Sequence, residues 1–159
     1  MHTGSCKTEE IPFSAVISIT NRGKDMFVND RLGPLGLTCG QVPVLTLLAK
    51  EQNITQETLV RHYHLDKGTI ARAVRKLEDA GYIRRITDPS NRRAVRLFLT
   101  EKGEGAIPVI LTINREWEAW ICRGLSLQDK KAVRTLMQAV ARNSFSYMAR
   151  AGGLPDDRE

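Results

Sequence analysis

Residues 66–80 can bury only one side of a helix. Wound at roughly 100° per residue, Ile70, Ala73, Val74 and Leu77 fall on one apolar seam, while Gly68, Thr69, Arg72, Arg75 and Lys76 fall opposite it. Asp66 stands in front as an N-cap, and Ala80-Gly81 supplies a stop able to take positive φ. Two runs rich in Ile, Val, Leu and Phe follow, 82–87 and 94–99, separated by Asp88-Pro89-Ser90-Asn91. That is hairpin patterning with a turn between the strands, and it places Arg92 and Arg93 at the tip. A helix presenting cations beside a ribbon presenting cations is a surface built for a duplex.

Charge placement supports the same reading. The net charge of the 159 residues is +6. Residues 61–102 hold eleven basic side chains against five acidic ones, so the entire excess lies in that window and the rest of the chain is neutral. Concentrated positive charge of this kind is the footprint of a polyanionic partner.

The segments on either side read as support. Residues 1–10 look like a flexible lead. Pro12 opens a helix running to about Leu32, with Phe13, Val16, Ile17, Thr20, Met26 and Phe27 as an apolar stripe. Gly33-Pro34-Leu35-Gly36 breaks it. Thr38 and Gln41 have capping-box spacing at the head of a second helix, whose start is expected to be irregular because of Pro43. Its inward side is read as Val42, Leu45, Leu48 and Ala49. Thr55 caps a short third helix, with Leu59 and Val60 inward, and His64-Leu65 joins it to helix 66–80. Thr100 begins a long helix with Pro108 inside it, where a kink is expected. Ser126-Leu127-Gln128-Asp129 begins another, and 150–159 reads as a flexible tail.

The fold class expected is mainly α with a small β-hairpin wing: a winged helix-turn-helix over 35–100, with 11–34 and 101–149 forming a helical dimerisation region. The stripes of the first and last two helices exceed what so small a core can cover, which calls for a second copy. Twofold symmetry then sets two recognition helices about one DNA turn apart, facing paired half-sites.

Specific roles follow from chemistry. Arg72 and Arg75 can each give paired hydrogen bonds to guanine edges, and Thr69 suits a base edge or a thymine methyl. Lys67 and Gly68 lie at the helix N-terminus, where free N–H groups favour phosphate, and Lys76 also suits phosphate. Arg92 and Arg93 suit a narrow minor groove. Thr55 and Gln56 are candidates for backbone positioning. Arg84, Arg85 and Arg96 either contact phosphates or pair with Glu78 and Asp79. The competing use of the same surface is docking on an acidic protein.

Leu37-Thr38-Cys39-Gly40-Gln41, Asp66-Lys67-Gly68-Thr69-Ile70-Ala71-Arg72, Leu77-Glu78-Asp79-Ala80-Gly81-Tyr82-Ile83-Arg84-Arg85, and Asp88-Pro89-Ser90-Asn91-Arg92-Arg93 with Leu97-Phe98-Leu99-Thr100-Glu101-Lys102-Gly103 together resemble the multiple-antibiotic-resistance regulator (MarR) family. The likeness spans roughly 11–148, and the stretch from the wing into Leu97-Phe98-Leu99-Thr100 is its most specific part. It implies a homodimeric winged-helix regulator, usually a repressor, on double-stranded pseudo-palindromic operator DNA. It also implies release by small aromatic or phenolic acids, oxidants or metals. Arg93 matches the family's wing-tip arginine, while Asn91 stands where an aspartate is usual.

For an effector, Arg22 is the cation offered to a carboxylate, with Trp117 and Trp120 near an aromatic ring. The plainer use of these three is a rim ion pair and dimer core. Cys6, Cys39 and Cys122 are odd in number and widely spaced, so neither disulfides nor a metal knuckle is indicated. His62 and His64 diverge on one helix, and no metal site is read from them. No Gly-x-Ser-x-Gly elbow, phosphate loop or suggestive carboxylate pair is present, so no enzyme and no cofactor are expected. The N-terminus lacks the hydrophobic centre of a signal peptide and no run is long enough to span a membrane, so a cytoplasmic protein without a membrane partner is expected.

Overall fold

Side-chain caps set the helix boundaries in the computed structural model, which describes residues 11–88 and 91–151. Helix α1 is Phe13–Leu32, α2 Val42–Lys50, α3 Gln56–Tyr63, α4 Lys67–Asp79, α5 Glu101–Ile121 and α6 Leu127–Ala151, with a hairpin of β1 (Ile83–Asp88) and β2 (Asn91–Leu99) between α4 and α5. Thr55, Asp66 and Thr100 each accept from the backbone N–H three residues on. Ser126 and Asp129 exchange such bonds at the head of α6. These are the orphan donors of helix first turns, satisfied locally.

Thr38 and Gln41 form the capping box, but on a 3-10 turn, Cys39–Gln41, that precedes α2. Pro43 lies in the first turn of α2, where its missing donor is harmless. Within α2 the buried side chains are Val44, Leu45, Leu47 and Leu48. Ala49, expected inward, is exposed, and Val42 is only partly covered. The arc of α2 that meets the core therefore runs through Val44, Leu45, Leu47 and Leu48, not through Val42 and Ala49. Helix α5 runs unbroken through Pro108.

One core joins α2, α3 and α4, the hairpin, the end of α1 and the first half of α5. Leu45, Leu48, Leu59, Val74, Leu77 and Leu97 are wholly inaccessible in it. Tyr82 closes one side, its hydroxyl donating to the Leu35 carbonyl at 2.6 Å; burial pushes that phenol's pKa up.

The hairpin pairs Ile83 with Leu99 through Thr87 with Val95, then Asp88 with Asn91. The register therefore slips beyond Thr87. Arg92 and Arg93, expected on the turn, have their backbone inside β2, in the stretch where the register slips; the strand begins three residues earlier than 94. Their side chains, like the lead 1–10 and the residues past 151, lie outside the described part. The hairpin also has a partner that the sequence did not disclose. Ile54 bridges Leu97 in antiparallel fashion, with Leu97 N donating to Ile54 O at 2.8 Å and Asn53 N to Leu97 O at 3.1 Å. Asn53 reaches this position in the left-handed region, φ 68°, which asparagine tolerates better than most residues.

The helices at the two ends of the chain are different. Only Val28 and Leu32 of α1 are buried, and Phe13, Val16, Ile17 and Met26 stand exposed. Helix α6 buries none of its described residues and exposes Leu136, Met137, Phe145 and Met148.

Candidate nucleic-acid interface

Helix α4 divides as its sequence pattern requires. Ile70, Ala73, Val74 and Leu77 are buried; Lys67, Gly68, Arg72, Arg75 and Lys76 are exposed and Thr69 half-buried. Burial of the seam fixes the rotation of the helix, so Arg72, Arg75 and Lys76 share the side turned away from the core, while Lys67 stands exposed on its first turn.

The N-terminal turn of this helix is tightly wired. Asp66 Oδ1 accepts from Thr69 N at 2.8 Å, and Thr69 Oγ1 donates to Asp66 Oδ2 at 2.5 Å. Arg72 Nη2 donates in turn to Thr69 Oγ1 at 2.9 Å. The Thr69 hydroxyl and amide, with a smaller contribution from Arg72, hold the Asp66 carboxyl below the usual aspartate range. Arg75 is looser, with its Nε 3.9 Å from Asp79 Oδ2 and its side chain 81% exposed.

The remaining candidates sort by what they touch. Arg85 Nε meets Glu78 Oε2 at 2.8 Å and so ties β1 to α4. Arg84 lies over the Phe98 ring, 5.3 Å from its centroid. Arg96 donates to Asn53 O at 3.4 Å. The Thr55 hydroxyl accepts from Thr58 N at 3.2 Å, and Gln56 is the half-buried first residue of α3. Thr55 is therefore occupied as a cap.

Arg22, Trp117 and Trp120 do not converge on one pocket. Arg22 is exposed. Trp117 packs on Phe27, ring centroids 5.5 Å apart, and a Cβ added at Gly23 would lie 3.2 Å from its ring. Trp120 is exposed under Arg123, 4.0 Å from guanidinium carbon to centroid. A solvent-open groove of about 390 Å³ does lie between α1 and α5, lined by Arg31, Pro108, Val109, Thr112, Ile113 and Glu116. Arg31 Nη1 meets Glu116 Oε2 across it at 2.5 Å. Arg31 was missed because its sequence neighbourhood, Asn29-Asp30-Arg31, looks like ordinary helix surface.

Burial, reinforced by Asp25, pushes the Cys39 thiol up, which disfavours the thiolate a sensor needs. Cys122 is buried. Among the described residues no three His, Cys, Asp or Glu side chains form a group able to hold a metal. No single described helix is long and apolar enough to cross a membrane.

The MarR family model matches residues 37–95, the stretch from the capping box through the hairpin. The uncharacterised HTH-type transcriptional regulator YybA of Bacillus subtilis is 30% identical over 127 residues, covering 80% of this chain and 85% of that protein. A MarR transcriptional regulator from Methanosarcina mazei is 32% identical with a TM-score of 0.78, covering 84% of this chain and 96% of its own. A MarR-family transcriptional regulator from Listeria monocytogenes, solved with a 26mer DNA, is 25% identical with a TM-score of 0.82 over 94% of this chain and 99% of its own. Likeness so nearly end to end takes in the exposed outer helices as well as the wired α4 and its hairpin, and the chain belongs to the MarR family of transcriptional regulators.

Proposed function

We propose that this protein is a homodimeric repressor that reads a pseudo-palindromic operator, with α4 in the major groove and the hairpin in the minor groove. One observation carries the reading: α4 is locked by its buried seam so that Lys67, Arg72, Arg75 and Lys76 are all presented outward. Arg72 and Arg75 then meet base edges, and Lys67, Gly68 and Lys76 meet phosphate. Arg92 and Arg93 serve the minor groove, and Thr55 and Gln56 place the α3 end against the backbone. The DNA-bound Listeria structure, alike over nearly its whole length, supports the general mode.

The second copy covers α1, α5 and α6, and these helices with 11–34 and 101–149 make the dimerisation region around the reading unit 35–100. Release comes from a small aromatic ligand at the α1–α5 groove, resting on the apolar wall of Pro108, Val109 and Ile113, with an anionic group taking Arg31 from its pair with Glu116. Such a regulator works beside its operator, in the cytoplasm.

Selection of bound duplexes from random DNA by the purified protein tests the proposal. It should return a twofold sequence whose affinity falls steeply with salt, because each neutralised phosphate releases counterions. Binding without sequence preference, or an unchanged profile for both Arg72→Ala and Arg75→Ala, would refute it.

A further inference from the structure

We infer that Asp66 and Thr69 are positioning residues that set the direction of Arg72, so that the discrimination exercised by Arg72 depends on a hydroxyl that itself touches no base. The inference rests on the reading of α4 as the groove-entering helix.

Three hydrogen bonds argue for it. The Thr69 hydroxyl has one proton and gives it to Asp66 Oδ2 at 2.5 Å. Its lone pairs then face Arg72, whose Nη2 donates to it at 2.9 Å. Asp66 cannot turn away, because its other oxygen accepts from Thr69 N at 2.8 Å as the helix cap. The order carboxylate, hydroxyl, guanidinium has one self-consistent donor direction, since a carboxylate only accepts and a guanidinium only donates. Both faces of the Thr69 hydroxyl are thus in use, which leaves it poorly placed to read a base as its sequence position suggested.

Gly68 is a second and independent sign. A Cβ there would lie 3.1 Å from Asp66 Oδ1 and 3.3 Å from Arg72 Nη1. Its φ is not in the left-handed region, so the backbone does not require glycine. Glycine is among the least favourable residues inside a helix, yet here it leaves open the space into which both ends of the relay lean. Among the described residues Arg75 shows no such brace, only Asp79 Oδ2 at 3.9 Å from its Nε. An arginine arm already ordered before it meets DNA loses less conformational freedom on binding and tolerates fewer partner geometries. Arg72 is thereby the discriminating arm and Arg75 the adaptable one.

The test is selection from random duplexes by full-length Thr69→Val, Thr69→Ser, Asp66→Asn, Arg72→Ala and the Thr69→Val/Arg72→Ala double variant, each with its melting temperature. Thr69→Val keeps the shape and loses the hydroxyl; Asp66→Asn keeps a good cap and replaces the accepting oxygen by a donor. Both are expected to lose about tenfold discrimination at one base pair per half-site, the scale of one good arginine contact. That base pair should be the one lost by Arg72→Ala. Thr69→Ser should keep it, and Thr69→Val should add nothing to Arg72→Ala. Folding of every variant is checked by the melt, so a change in discrimination without a change in melting separates positioning from scaffold. A loss by Thr69→Val at a different base pair, additive with Arg72→Ala, or wild-type discrimination by Thr69→Val, would overturn the inference and leave α4 as reader. An unchanged profile for Arg72→Ala would remove Arg72 from the groove and overturn the inference, while the reading of α4 falls only if Arg75→Ala is unchanged as well.

Discussion

The ring of Phe145 in α6 stacks on the imidazole of His64, with centroids 4.6 Å apart and planes inclined by 30°. His64 is the left-handed residue, φ 50°, that ends α3 and turns the chain toward α4. The last helix therefore rests on the turn of the helix-turn-helix. A stacked pair contributes about 1 kcal/mol beyond burial. A double-mutant cycle with Phe145→Ala and His64→Asn, the latter suited to the left-handed backbone, should show coupling of that order in urea unfolding. Additive losses would mean that α6 and the turn are energetically independent.

Gly103 should not accept a side chain. A Cβ there would lie 2.1 Å from the carbonyl oxygen of Tyr82, itself the acceptor for Thr100 N at 3.1 Å, and 3.1 Å from Leu99 Cδ2. Thr100 Oγ1 donates to Gly81 O at 2.7 Å in the same junction. Gly103→Ala is expected to destabilise by about 3 kcal/mol, because backbone must move. Gly105→Ala, where nothing lies within 4 Å, should be neutral or gain up to about 1 kcal/mol from helix propensity. Urea midpoints measure the contrast, and equal midpoints would mean that α5 does not dock this way.

Leu136 is 65% exposed on a helix that buries none of its described residues. If α6 meets a second copy, Leu136→Glu places charges at an apolar contact and should convert a dimer to monomers at micromolar concentration, read by light scattering. DNA affinity should fall at the same time, because two half-sites are then bound separately. An unchanged mass would locate the dimer contact elsewhere.

The Asp66 cap should be acid-sensitive only at the bottom of the pH scale. Its carboxyl is held below the ordinary 3.8, chiefly by the Thr69 hydroxyl and amide. A carboxyl depressed in the native state stabilises fully above its ordinary value, and this contribution fades as pH falls through the lower native value. The melting difference between the wild type and Asp66→Ala should thus be constant above about pH 5 and close only in stronger acid. A difference that already closed at or above the ordinary aspartate range would mean that the folded protein does not hold this carboxyl down.

Much of this molecule was legible in the chain alone. Ile70, Ala73, Val74 and Leu77 against Arg72, Arg75 and Lys76 needed only a helix period, and Thr55, Asp66 and Thr100 needed only their local amides, since these relations span three or four residues. Tertiary structure was required for whatever depends on distant segments. It decided which arc of α2 meets the core, so that Val44 and Leu47 are covered and Ala49 is not. It brought Ile54 to Leu97 and Phe145 to His64. It closed Arg31 on Glu116 and drew Trp117 onto Phe27, away from the cluster imagined with Arg22 and Trp120. Periodicity states which side of a helix is apolar, but the geometry of packing alone decides what that side meets.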